Sequence, residues 1–99
     1  MDEERVVAAA IKFFLSDGKT ILSDPMIICG RRHSNIFEAM FSLGLRYDKP
    51  SHTQGFWTNQ NRFVDRYEAF EIAKAANQIL PEAQQEVEKS HTLYSEDVW

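Results

Sequence analysis

Three stretches of this 99-residue chain carry residue types that could do chemistry. The first is Arg31-Arg32-His33, two guanidinium forks and an imidazole in succession. A guanidinium presents planar donors that grip phosphate or carboxylate two at a time. The triplet stands at a predicted helix start, where unpaired backbone N–H groups and the helix dipole already favour an anion. The second stretch is Gln54-Gly55-Phe56-Trp57-Thr58-Asn59-Gln60-Asn61-Arg62, which interleaves rings with amides, a hydroxyl and a cation. Rings stack on a base or ribose, and amides read base edges. Gly55, lacking a Cβ, would let a planar group approach the backbone. Equally, one of the two rings could point to the core and the other to a second subunit. The third stretch is Asp65-Arg66, a further helix start at which an anion could sit, with the Asp65 side chain expected to cap it. The candidate ligand-binding residues are Arg31, Arg32, His33, Phe56, Trp57, Thr58, Asn59, Arg62, Asp65 and Arg66.

Other chemistries find less support. The chain has neither GxxxxGK[ST] nor GxGxxG. Cys29 with His33 or His52 could form a nucleophile–base pair, but Cys29 follows Ile27-Ile28 and reads as a buried, inert thiol. His33 or His52 with Asp65 could perform the acid–base work of a small phosphodiesterase or nuclease, yet nothing in the spacing fixes their geometry. Cys29 and His33 are four apart with Gly30 between them, and no further ligand pair has metal-binding spacing. No catalytic residue, metal or cofactor is assigned.

Composition narrows the field. An apolar fraction of 43% and a charged fraction of 26% describe an ordinary globular domain. An aromatic fraction of 12% is more than a core this small easily hides, which points some rings to a ligand site or a subunit contact. A single cysteine excludes a disulfide framework and fits a reducing cytosol. The acidic start Met1-Asp2-Glu3-Glu4 resembles neither a signal nor a transit peptide. The longest apolar run, Val6 to Leu15, is interrupted by Lys12 and too short to span a membrane. The net charge of −4 is unevenly spread: −2 over 1–24, +3 over 25–66 and −5 over 67–99. An acidic chain with one basic island argues against polymeric nucleic acid, which needs a broad basic face. It leaves open a small anion in an arginine-lined recess, or arginines paired with the acidic last third of the same or a second subunit.

The elements that must position these residues read as follows. Arg5–Leu15 and Lys19–Ser23 form a hairpin about the turn Ser16-Asp17-Gly18-Lys19. Met26–Gly30 is a short third strand or an extended lead to the arginine pair. Ser34 or Asn35 caps an amphipathic helix with Ile36, Met40 and Leu43 on one side, ended by Gly44. His52–Thr58 and Phe63-Val64 are strands joined by Asn59-Gln60-Asn61. A second helix runs from Asp65, in capping-box spacing with Glu68, to about Leu80, before Pro81. The last stretch, 81–99, is polar with a weak helical signal and ends in Leu93, Tyr94, Val98 and Trp99. A disordered tail would not usually end so, and packing on the core or on a partner is expected, which leaves open a protein-interaction or accessory factor that uses this aromatic C-terminus. The fold class is therefore α+β: one domain over 1–99, with a small antiparallel sheet, two helices and a C-terminal tail.

One pattern also resembles a known family. Arg32-His33-x-x-Ile36, then Gln54-Gly55-Phe56-x-Thr58-x-x-x-Arg62-Phe63-Val64-Asp65-Arg66-x-Glu68-Ala69, then Ile72-Ala73-x-Ala75-Ala76-x-Gln78-Ile79, and finally Leu93-x-Ser95-Glu96-Asp97-Val98-Trp99 resemble small phage and prophage proteins. These are associated with the phage anti-Thoeris sponge, which captures cyclic ADP-ribose signals. Asn61 and Asn77 stand where the family pattern has glycine, and both accept positive φ. The resemblance implies a non-enzymatic role in the host cytoplasm: sequestering a cyclic nucleotide immune signal, possible cyclic oligonucleotides included, in a homo-oligomer, a dimer or an assembly of dimers. In that reading Arg32, His33, Arg62 and Arg66 neutralise a diphosphate, Phe56 or Trp57 stacks on adenine, and Thr58 and Asn59 read polar edges.

Overall fold

The computed structural model describes residues 3–99; Met1 and Asp2, part of the acidic start read above, lie outside them. The sheet is built from β1 (Val6–Phe13), β2 (Met26–Gly30), β3 (Thr53–Thr58) and β4 (Phe63–Asp65) in the order β2-β1-β3-β4, every pair antiparallel. Three helices accompany it: α1 (His33–Ser42), α2 (Arg66–Ala75) and α3 (Gln84–Ser90). The domain is α+β, as its composition and patterning predict.

The return strand of the first hairpin differs from the expectation. Lys19–Ser23 is not the partner of β1; that partner is β2, with Ala9 opposite Gly30 and Phe13 opposite Met26. The Asp-Gly turn does form, but it supports only a single bridge, Ser16 to Ile21. Asp17 explains why. Its carboxylate accepts from the Lys19 and Thr20 amides at 2.8 Å each, which knots a small local loop. Pro25 then ends that loop, and the apolar run Met26-Ile27-Ile28, with two β-branched residues, takes the ladder.

One face of the sheet is covered. Ala9, Ile11 and Phe13 of β1 point to Ile36 and Met40 of α1. Val6, Phe56 and Val64 pack with Ala69, Phe70 and Ala73 of α2. The C-terminal stretch completes this second core: Val87 of α3, Leu93 and Val98 are buried in it, and Trp99 packs against it. The weak helical signal after Pro81 is thus a real third helix, held by burial of Val87 rather than by propensity.

The helix ends follow their chemistry with two departures. Neither Ser34 nor Asn35 caps α1; Arg32 holds the extended N-cap backbone and no side chain caps it. Gly44 terminates the helix as expected, at φ +65°, with the Gly44 and Leu45 amides donating back to Phe41 and Met40. Asp65 caps α2 by accepting from the Glu68 amide at 2.8 Å. That helix stops at Ala75 rather than near Leu80. Asn77 enters the left-handed region at φ +57°, and the Asn77 and Gln78 amides close on Lys74 and Ala73. The same capping geometry ends both helices, with asparagine doing in one what glycine does in the other. Asn61 likewise sits at φ +58° in the β3–β4 turn. Among the described residues, no helix is long and apolar enough to cross a membrane.

Candidate functional site

Antiparallel pairing decides which candidates meet. Gly55 lies opposite Asp65, so Arg66, the first residue of α2, stands beside the Gln54 end of β3. The Arg66 guanidinium donates to Gln54 Oε1 at 2.8 Å and lies over the Tyr94 ring at 4.2 Å. Its Nε is buried and has no hydrogen-bond partner. The start of α1 arrives at the same place. The Nε2–H of His33 donates to the Gly55 carbonyl at 2.7 Å, and its ring meets Phe56 edge-on at 5.2 Å. The backbone N–H of His33 points to Ser95 Oγ at 3.4 Å. The C-terminal stretch closes the cluster. Arg32 donates to the Trp99 backbone oxygen at 2.6 Å, the Trp99 indole N–H donates to the Arg31 carbonyl, and the Trp99 ring lies 6.3 Å from Phe56.

Arg31, Arg32, His33, Phe56 and Arg66 therefore belong to one neighbourhood drawn from three separate segments and closed by a fourth, the C-terminal stretch. Two charged groups surround the imidazole. Burial pushes the His33 pKa below its ordinary value; the Gly55 hydrogen bond opposes this, the Arg66 charge reinforces it, and Glu96 opposes it. Burial also raises the Asp97 carboxyl, while the Tyr94 amide that it accepts pulls the other way.

Thr58, Asn59 and Arg62 lie at the other end of β3 and do not join this cluster. Thr58 is fully buried and donates to Glu4 Oε2 at 2.8 Å. Arg62 is held by Glu4 and Glu68, at 2.7 Å each. Its hydrogen bonds to those carboxylates keep it charged well above its ordinary range and lower the Glu4 pKa. Asn59 accepts from the Arg5 amide at 2.9 Å and donates to the Glu3 carbonyl at 3.1 Å, tying the start of the chain to the turn. Asp65 spends its carboxylate on the α2 cap.

Two readings of the aromatic stretch change. Phe56 is fully buried, so its ring has no face left for a ligand. Trp57 points to the opposite side of the sheet, beside Ala8 and Phe63, and is half-buried. Gly55 is needed for packing rather than for an approaching ligand: a Cβ there would stand 2.1 Å from the Val64 carbonyl and 2.7 Å from the Phe63 ring. The residues that sequence reading omitted from the site are Gln54, Tyr94, Ser95 and Trp99. The apolar-aromatic end of the chain was the available signal for the last three.

Among the described residues, neither His33 nor His52 is hydrogen-bonded to a carboxylate. His52 donates from Nδ1 to the Lys49 carbonyl at 2.5 Å, and its ring sits edge-on to Phe37 and Tyr47. Among the described residues, no three His, Cys, Asp or Glu side chains group so as to hold a metal ion. Cys29 is not buried as its apolar neighbours suggested: it lies exposed on β2, an edge strand, with its thiol pKa still raised by partial burial.

Recesses of about 240, 630 and 320 Å³ open elsewhere, at the α2–α3 junction, along α1, and beside the Gly18 turn. None of the three is lined by a sequence-predicted site residue. The cationic neighbourhood is accordingly a surface cluster with a half-buried arginine at its centre.

Compared with known proteins, residues 5–99 match the family model described as Phage T4 y16D protein. No curated protein and no solved structure matches the chain.

Proposed function

The chain belongs to the Phage T4 y16D protein family; we propose, from the sequence resemblance and the arginine cluster rather than from that membership, that it is a phage accessory protein that captures a cyclic nucleotide immune signal in the host cytoplasm without altering it. A cyclic ADP-ribose isomer is the ligand that the sequence resemblance favours. The observation that carries this reading is the state of Arg66: a guanidinium backed by Tyr94 and oriented by Gln54, with a buried Nε that lacks an acceptor. The buried Nε is itself out of a ligand's reach, so the part of this half-buried side chain still open to solvent is what would meet an anion. Arg31 is exposed beside it, and Arg32 is kept in place by the Trp99 backbone oxygen. Tyr94 and the rim of Trp99, rather than Phe56, take the stacking role.

Capture without chemistry agrees with the histidine geometry. Both rings are committed to main-chain carbonyls, and Asp65, the carboxylate that could have formed a dyad, caps α2. The seat is shallow within one copy, so tight capture requires a second copy or a closing segment to desolvate the ligand.

The test is direct. Protein is incubated with each of several cyclic ADP-ribose isomers, denatured by heat, and the released ligand chromatographed. Recovery of unaltered ligand in stoichiometric amount is expected, together with a rise in melting temperature on binding. Arg66→Gln weakens capture by about 10- to 100-fold, the worth of a charge-assisted hydrogen bond, whereas Arg62→Gln leaves it intact. Conversion to a linear product by substoichiometric protein rejects the capture reading in favour of an enzyme. Absence of any thermal shift across isomers and cyclic oligonucleotides rejects nucleotide binding altogether.

A further inference from the structure

The groove of about 630 Å³ along α1 plays no part in the cluster described above. One wall is α1, with Phe37, Glu38 and Phe41; the other is the following loop, with Leu45, Tyr47 and Lys49. The core side of α1 is already satisfied by Ile36 and Met40, which are buried against β1. Phe41 lies off that stripe and is 87% exposed at the groove, with Leu43 70% exposed at the end of the same helix. A ring left in water beside an apolar groove on the same face is a knob beside a hole. Contacts related by a two-fold axis need that arrangement, since each copy must offer both halves.

The charges obey the same condition. Glu38 on α1 and Lys49 on the following loop both line the groove, and neither has an ion-pair partner among the described residues. A two-fold axis lying in the contact plane and running along the groove exchanges its walls. It sets each Glu38 against Lys49 of the other copy, twice, while each Phe41 enters the other groove. A face carrying knob, hole, acid and base together is complementary to itself.

We propose that the α1 face, centred on Phe41 and flanked by Glu38 and Lys49, is a two-fold contact between copies of this chain. The contact stands apart from the Arg31–Arg66 cluster and does not depend on any nucleotide. It is therefore tested on ligand-free protein, and a failure to capture nucleotide leaves it untouched.

Sedimentation equilibrium of the full chain gives the mass. A species of twice 11.5 kDa, or a larger even assembly, is expected at micromolar concentration. Phe41→Asp raises its dissociation constant by at least about 30-fold, the effect of losing an interface hot spot. Glu38→Lys and Lys49→Glu each weaken association by setting like charges together, and an equimolar mixture of the two single variants re-forms the dimer because both cross-pairs become attractive again. All three side chains are exposed, so the variants stay folded, which their circular dichroism verifies. Monomeric wild-type protein up to about 1 mM, where a contact is worth only about 4 kcal/mol, overturns the proposal. So does an assembly that Phe41→Asp leaves intact, or a mixture that recovers nothing the single variants lost.

Discussion

Replacing Gly55 by alanine separates two explanations of the same glycine. If Gly55 serves an approaching ligand, alanine leaves stability alone and harms binding. The structure supports the opposite outcome. An added Cβ would lie 2.1 Å from the Val64 carbonyl oxygen, where ordinary contact begins at 3.4 Å. That atom is backbone, so no rotamer change relieves the clash, and β4 must retreat from β3 by about 1 Å. Three residue pairs, Gly55–Asp65, Phe56–Val64 and Trp57–Phe63, hold β4 in the sheet. Overpacking of this kind costs about 1–3 kcal/mol. Stretching two ladder hydrogen bonds adds about 1 kcal/mol each. The total is about 3–5 kcal/mol, a large share of the stability of a domain this size. Thermal unfolding followed by circular dichroism should fall by about 12 °C or more. Two control variants calibrate it. At Gly30, a Cβ meets the Ile36 side chain at 2.9 Å and the Arg32 carbonyl only at an ordinary 3.9 Å, and an off-rotamer shift of Ile36 absorbs it for about 1 kcal/mol. At Gly44, nothing lies within 4 Å but φ is +65°, so alanine costs about 1–2 kcal/mol of backbone strain. A Gly55→Ala protein melting within about 3 °C of wild type, or below neither control, refutes the packing argument.

Three further outcomes follow from the same structure. Burial holds the His33 pKa below its ordinary value of 6.5, so the unfolded chain takes up the proton first as pH falls. Stability is then lost on acidification from 6.5 toward the folded value, by at most about 1.4 kcal/mol per pH unit. Urea midpoints at pH 7.5 and 5.5 should differ less in His33→Gln; Asp97, whose raised carboxyl acts in the opposite sense at lower pH, is common to both proteins and cancels. Trp99→Ala removes a half-buried ring from Phe56 and the indole bond to Arg31, costing about 2 kcal/mol and about 8–16 °C in melting temperature; an unchanged melt contradicts the docking of this residue. Asn77→Val places a β-branched side chain at φ +57° and should destabilise by about 1–2 kcal/mol in a urea titration, whereas Asn77→Gly should be neutral or better.

Much of this protein was legible without coordinates because the relevant physics is local. Asp65 caps a helix through an amide three residues on, Gly44 and Asn61 supply positive φ, and the Phe63–Asp65 strand turns back on Asn59-Gln60-Asn61. Each depends on neighbours in the chain, so residue type and spacing suffice. Ladder pairing and burial are not local. Lys19–Ser23 had the turn and the apolar residues to return on β1, yet Met26–Gly30 displaced it, because a knot at Asp17 occupied the nearer segment. Phe56 and Trp57 are adjacent and alike in type; only the direction of the β1–β3 pleat put one in the core and the other on the far side of the sheet. Arg62 and Arg66 share a motif and sit four residues apart, and sequence could not rank them. Tertiary structure did, by bringing Glu4 to one and Tyr94 with Gln54 to the other. A guanidinium's availability is set by what burial and long-range contact place against it, and no pattern of neighbouring letters carries that information.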